Sequence, residues 1–551
     1  MFYMLLLAGT PSSSIDQKME TWFIIIVSLC IAALFKSLFN LLSPTNPKPS
    51  KIKGKLPPGP SSTIPIIGDF LWLGISYPEV VSILRNLHTK YGPLVSLRFG
   101  SRLTIFIANH SLAHQALIQN GVVFANRPAA TPVGRIFSSN QHNVSTAAYG
   151  PVWRLLRRNL TSEILHHSRV KSYSQTRKRV LCNLVNLLKT NQSQKLGEPV
   201  PVMDHFKSAM FSLLSFMCFG EELGEKKIRD IEDVQRQILL SSERFNNINI
   251  LNVWSRLGKI LFRSRWKELM QIRKSQEDVL IPLIRARMKP KLEAQRKNMQ
   301  DGEGKNESVL SYVDTFIDLQ LPDEKRKLNE AEMVSLCSEF LNGGADTTST
   351  ALLWIMANLV KYPHIQEKLF AEINGVVGEL GGGGGPEEVK EEDLQKMPYL
   401  KAVILEGLRR HPPGHLLVPH TVTEDVTLDD YVVPKNTVVH FMVANIGWDP
   451  KVWEDPMAFK PERFLSTGGD GGELFDITGS REIKMMPFGA GRRMCPGSGL
   501  AMLHLEYFVA NLVWHFEWKA VDGDEVDLSE KQEFTVVMKN PLQARLSPRL
   551  K

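Results

Sequence analysis

Between Leu328 and Val360 the chain carries an apolar run of helical spacing, long enough to be the central strut of a large domain. Its middle reads Gly343-Gly344-Ala345-Asp346-Thr347-Thr348. Two glycines at a helix centre cost about 1 kcal/mol each relative to alanine, and three polar side chains interrupt the apolar pattern. One reading is a close helix crossing, with small residues at the contact and hydroxyls bonded to the preceding turn. The other is a groove in which Thr347 bonds the carbonyl of Gly343, four residues back. A bulky planar group and a small ligand then approach the backbone, with Asp346 relaying protons. The stretch alone does not choose between them.

A strut of this length needs partners. Helical spacing runs almost unbroken from Trp153 to about Met288, and further helices are expected over Pro78–Tyr91, Ser111–Asn120 and Asp393–Arg410. The last is stopped by His411-Pro412-Pro413. Strand signals are confined to Leu94–Phe99 and Leu103–Ala108 around Gly100-Ser101, to Leu416–Val422 and Val438–Val443, and to a tail near Phe534–Lys539. The expected fold is mainly α with a small β portion, in a single domain over residues 61–551. The chain's 551 residues, 43% of them hydrophobic, suffice for one large core. The Gly381–Gly385 and Thr467–Gly472 stretches are short enough for surface loops. Its 5 cysteines are scattered with no CxxC pair, which points to a reducing compartment. The formal charge of +8 comes without a basic tail, finger or aromatic-basic array, so nucleic acid is not an expected partner. A membrane surface or an acidic protein fits better.

The N-terminus supports the membrane. Residues 1–20 read as an N-terminal extension, in which the residues before Met19 look expendable and Met19 is a natural start. Thr21 to Leu42 is apolar enough for one spanning helix, which needs about 20 residues. Lys48, Lys51, Lys53 and Lys55 follow it, placing the C-terminal side in the cytosol. Residues 43–60 form a basic, Pro-rich hinge ending in Lys55-Leu56-Pro57-Pro58-Gly59-Pro60.

Near the C-terminus stands Phe488-x-x-Gly491-x-Arg493-x-Cys495-x-Gly497, ahead of an apolar helical run from Leu500 to Trp514. Pro496 suits the first helical position. Cys495 is then at a helix N-terminus, and with Arg492 and Arg493 beside it the thiol is expected to be acidic and partly thiolate. A thiolate can be a nucleophile, a redox partner or a metal ligand. Zinc would want further cysteine or histidine ligands nearby, which are absent. A c-type haem would want CxxCH, also absent. A single thiolate under a haem iron fits the basic, Gly-rich loop. Two further patterns are weaker by themselves. Glu406 and Arg409 lie three apart on one helix face, and Pro461-Glu462-Arg463-Phe464 offers a loop arginine to complete a buried Glu406–Arg409–Arg463 network.

The four segments, in their order along the chain, resemble the cytochrome P-450 superfamily of haem-thiolate monooxygenases, plant microsomal type, and the plant family numbered eighty-nine in particular. The resemblance implies haem b with Cys495 as axial ligand. It implies that Gly491 permits a tight turn, Gly497 lets the helix pass close to the macrocycle, and Phe488 shields the sulfur. Arg493, Trp153, Arg157 and His420 are implied contacts of the haem propionates. Asp346 and Thr347 match the pair that delivers protons during dioxygen activation. Glu406, Arg409 and Arg463 match a structural charge network. Phe137, Phe340, Leu416 and Val537 are expected to line the pocket for a lipophilic small molecule. Electrons are expected from NADPH through a membrane-bound NADPH–cytochrome P-450 reductase, with cytochrome b5 as a further partner. Basic residues Arg154, Arg158, Arg481, Lys484 and Arg492 mark the docking side. The implied location is the endoplasmic reticulum membrane, single-pass, with the catalytic domain cytosolic.

Overall fold

The computed structural model describes residue 28 and residues 54–60, 77–99, 102–194, 198–245, 262–298, 309–322, 325–378, 388–465, 475–521 and 525–549. The expected extension, the anchor apart from Ser28, most of the hinge and the two glycine-rich loops lie outside them. Among the described residues no helix is long and apolar enough to cross a membrane.

Helices dominate. We label α1 Tyr77–Tyr91, α2 Pro151–Asn159, α3 Ser174–Gln194, α4 Met203–Phe219, α5 Glu225–Arg244, α6 Arg263–Asn298, α7 Glu330–Lys361, α8 Pro363–Gly378, α9 Pro398–Arg410 and α10 Ser498–His515. The central strut is α7. It starts at a capping box, in which the Asn329 side chain accepts from Glu332 N–H at 2.9 Å and Glu332 accepts from Asn329 N–H at 2.9 Å. Leu352, Leu353, Ile355 and Met356 of α7 are buried in the main core together with Leu213 of α4, Leu400 of α9 and Leu512 of α10. Burial on all sides explains why no clean amphipathic stripe is visible along it.

The β portion is small. Strands β1 Leu94–Phe99 and β2 Arg102–Ile107 pair antiparallel, with Phe99 opposite Arg102. Two later strands, β3 His420–Thr421 and β4 Val438–Phe441, complete this sheet in the order β1-β2-β4-β3, with β2 and β4 parallel. A separate hairpin, β5 Glu530–Gln532 with β6 Val536–Met538, lies near the C-terminus. There Val536 N–H donates to Pro413 O at 2.8 Å.

Three local expectations are corrected. The strand expected over Leu416–Val422 pairs regularly only at His420–Thr421, with a single bridge from Leu416 to Met442. The helix expected from Asp393 is a 3₁₀ turn at Leu394–Lys396 followed by α9, because Pro398 has no N–H to continue a helix but fits its first turn. Pro496, expected at the first position of the last helix, lies upstream of it, since Gly497 is the cap and α10 begins at Ser498.

Candidate active site

The two glycines of α7 have different surroundings. A Cβ on Gly344 would collide with the Leu214 side chain of α4, so Gly344 makes the close crossing. A Cβ on Gly343 would meet nothing within 4 Å. Thr347 Oγ1 donates to the Gly343 carbonyl at 2.6 Å, and Gly343, Gly344, Thr347 and Thr348 all line one cavity of about 600 Å³. Asp346 does not line it. Its Oδ2 instead accepts from the Thr535 hydroxyl at 2.8 Å. Burial pushes the Asp346 carboxyl up from its usual range, partly offset by Lys207.

The same cavity is lined by Phe488, Cys495 and Gly497. Cys495 N–H donates to Phe488 O at 2.8 Å, closing the loop that presents the sulfur. Gly491 turns that loop at φ +69°, a conformation that glycine adopts without strain, and a Cβ there would strike the carbonyl oxygen of Leu117. The expected acidity of the thiol is corrected by burial. Desolvation pushes the Cys495 thiol up, while a hydrogen bond from Gly497 N–H and the charge of Arg157 oppose this. The cation acting on the sulfur is thus Arg157. Arg492 is exposed and donates to Tyr149 Oη at 3.0 Å.

Around the sulfur stands a cationic wall. Arg157, from α2, lines the cavity and has no hydrogen-bond or ion-pair partner among the described residues. Trp153, one turn earlier, is buried, yet its Nε1–H has no partner among the described residues. Arg493 stacks over the Trp153 ring with its guanidinium carbon 4.4 Å from the centroid. Its Nε and terminal nitrogens donate to the carbonyls of Ala125 at 2.7 Å, Val144 at 3.2 Å and Ala147 at 2.6 Å. Burial lowers its pKa to about 10. His420 Nδ1 donates to Phe124 O at 2.7 Å, and burial pulls its pKa down to about 3. The neutral ring then keeps Nε2 as an acceptor, so His420 can hold a carboxylate only after taking up a proton.

Sequence reasoning missed two charged residues that line this cavity, Arg127 and Glu339. Arg127 is half-buried, lines the cavity and donates to Ser145 O, Val418 O and Pro419 O, each at 2.8 Å. Glu339 of α7 accepts from Val144 N–H at 2.8 Å and Ser145 N–H at 2.6 Å. A loop arginine and a helical glutamate carry no spacing signal, and only the folded chain brings them together. Phe340 and Leu416 line the cavity. Phe137 does not: it packs against a separate cluster with Phe245, Leu269 and Ile272, because its short helix faces α6. Val537 does not either, since the hairpin presents Phe534 and Thr535 to the cavity instead.

Away from the cavity, Arg409 Nε and one terminal nitrogen donate to Glu406 at 2.7 and 2.8 Å, and Arg463 Nε reaches Glu406 at 3.3 Å. Arg409 also donates to the carbonyls of Gly447, Pro456 and Ala458. Both Glu406 and Arg409 side chains are 0% exposed.

A thiol, an unpaired arginine and an unpartnered buried indole N–H in one largely apolar cavity fit a planar macrocycle with anionic edge groups and a metal at its centre. Comparison with known proteins gives this arrangement a family. Residues 57–547 match the cytochrome P450 family. The chain is 49% identical to Cytochrome P450 89A9 of Arabidopsis thaliana over 96% of its own length and 99% of that protein. It is 31% identical to Cytochrome P450 76C2 of the same plant, over 94% and 96%, and 30% identical to a costunolide synthase of Cichorium intybus, over 94% and 97%. Among solved structures, a zebra fish cytochrome P450 with abiraterone superimposes with a TM-score of 0.67 at 23% identity, over 85% of this chain and 99% of that one, which shows the fold. The chain belongs to the cytochrome P450 family of monooxygenases, which bind haem b through a cysteine thiolate, and within it to plant family 89.

Proposed function

We propose that this chain is a haem-thiolate monooxygenase that oxidises a lipophilic small molecule, in which Cys495 would supply the thiolate that holds the haem. The observation that carries the reading is the convergence of the Cys495 thiol, the unpaired Arg157 and the Thr347 groove on one cavity. When bound, the haem supplies dioxygen activation driven by two electrons. Arg157 and the Trp153 indole N–H hold its anionic edge, Arg127 and Arg493 add positive potential there, and His420 contributes when protonated. Phe488 covers the sulfur from solvent. Thr347 and Asp346 hold and move protons above the groove. The mainly apolar lining, with Phe340 and Leu416, favours a lipophilic substrate.

Electrons reach the chain from NADPH through a membrane-bound NADPH–cytochrome P450 reductase, with cytochrome b5 as an additional donor. Arg154 and Arg158 are exposed on α2, the helix that carries Arg157, and Lys484 is exposed ahead of the cysteine loop. This suits an acidic docking face. Residues 21–42 anchor the protein in the endoplasmic reticulum membrane with its catalytic domain in the cytosol. The decisive measurement is the spectrum of the reduced carbon monoxide complex. A strongly red-shifted Soret band is expected for the wild type and its loss for Cys495→Ala; a variant that keeps the band overturns the ligand assignment.

A further inference from the structure

Asp346 is held from outside its own helix. The Thr535 hydroxyl, in the turn between β5 and β6, donates to Asp346 Oδ2 at 2.8 Å. The Thr535 oxygen also lies 3.1 Å from Thr350 Oγ1. A threonine hydroxyl has one proton, and that of Thr535 goes to the carboxylate, so Thr350 must donate into Thr535. Asp346 and Thr350 are four residues apart and share a face of α7. The tip of the hairpin is therefore clasped between them.

The tip is itself firmly placed. Val536 N–H donates to Pro413 O at 2.8 Å, the Trp354 indole N–H donates to Val536 O at 2.8 Å, and Glu533 N–H closes the turn onto Thr535 O at 2.9 Å. Thr535 is 3% exposed to solvent and lines the cavity, which Asp346 does not. The other charges that act on Asp346 are Lys207 of α4, Arg236 of α5 and Glu533. Among the described residues, Thr535 is the side chain that hydrogen-bonds the carboxylate.

We propose that Thr535 is a positioning residue for proton delivery: its hydroxyl fixes the Asp346 carboxylate and connects it to the cavity. The proposal rests on the reading of Asp346 as a proton-delivering acid given above. Thr535 neither gains nor loses a proton over a turnover. It sets where the acid points and, with Phe534 beside it in the cavity lining, ties that direction to the position of the hairpin.

Two readings on the full-length haem protein test this. The first is the infrared carboxyl stretch of Asp346 in the resting protein, identified as the band that disappears in Asp346→Asn. Thr535→Val should shift that band and Thr535→Ser should restore it. The second uses the reductase and NADPH with no added substrate, and measures the share of NADPH electrons that reduce oxygen fully to water rather than to peroxide. That share should fall roughly tenfold in Thr535→Val, as expected for a lost hydrogen bond to a charged group, and recover in Thr535→Ser. The carbon monoxide spectrum should be unchanged in all three variants. Should the valine not admit haem, Thr535→Ala is read the same way. An unshifted band and an unchanged water share in Thr535→Val, with a lowered share in Asp346→Asn, overturn the role of Thr535 alone. An unchanged share in Asp346→Asn instead overturns the proton role of Asp346, and the inference with it.

Discussion

Two arginine-rich regions of this molecule are built on opposite plans. Around Glu406 the network is closed: Arg409 divides its donors between one carboxylate and three carbonyls, Arg463 adds a third side chain, and both partners of the central pair are inaccessible to solvent. Around Cys495 the wall is open: Arg157 has no partner among the described residues and the Trp153 indole N–H is buried without one. Folding tolerates a buried charge when its hydrogen bonds are complete, and leaving one incomplete costs stability. The open wall thus marks where a ligand completes the set, and the closed knot marks where the fold does so by itself.

The comparison can be broken at either end. The largest effect is expected in the closed knot. Glu406→Ala leaves the fully buried Arg409 guanidinium without its counter-ion and should lower stability by about 3–5 kcal/mol, seen as loss of soluble, haem-containing protein and an early thermal transition. In the open wall, Arg157→Ala should weaken haem binding by roughly tenfold while shifting the melting of haem-free protein little, because no hydrogen bond or ion pair within the described protein is lost. Equal damage to the haem-free melt at both sites would erase the distinction.

A third case concerns the exposed cations beside the open wall. Reversing the charge of Arg154, Arg158 and Lys484 together should slow first-electron transfer from the reductase and leave reduction by dithionite unchanged. Rising salt should weaken the wild-type rate more than the variant's. Identical stopped-flow rates would remove these cations from the docking face.

The smallest expected effect concerns His440 of β4, which is half-buried and lines the cavity. His440 stacks on Phe106 at 5.0 Å between centroids, and burial lowers its pKa from 6.5 to about 4. The unfolded chain therefore binds the extra proton first, and the stability contributed by neutral His440 is lost as pH falls from 6.5 towards about 4. His440→Gln should reduce the acid slope of stability by up to about one proton in that window, measured by denaturant titration at stepped pH.

The closed knot was the more legible region. Glu406 and Arg409 meet because a three-residue spacing on a helix forces them together, and Phe488, Gly491 and Cys495 are brought into one loop by their short offsets. The open wall was legible only where a member belongs to such a local pattern, as Trp153 and Arg157 do on α2. Arg127 and Glu339 belong to none, since their partners are backbone groups distant in sequence. Phe137 and Val537 were misjudged for the complementary reason. An apolar residue near a cavity in sequence can turn to either side of its element, and neighbouring helices decide which. The split character of Gly343 and Gly344 was likewise beyond local reasoning, because it takes Leu214 of another helix to tell them apart.

The collision that any side chain at Gly491 would meet also says something about the order of events in making this protein. The obstacle, the Leu117 carbonyl, belongs to the short wide turn Gln115–Gln119, close to the opposite end of the chain. The loop that presents Cys495 therefore rests on a platform translated long before it. Such a distant contact forms late, after the intervening helices have gathered. During synthesis the platform leaves the ribosome early and waits, whereas the cysteine arrives among the last segments. Capture of the cofactor is thereby a closing event of biosynthesis, and a truncated chain that has built most of its core still has no place to keep its haem.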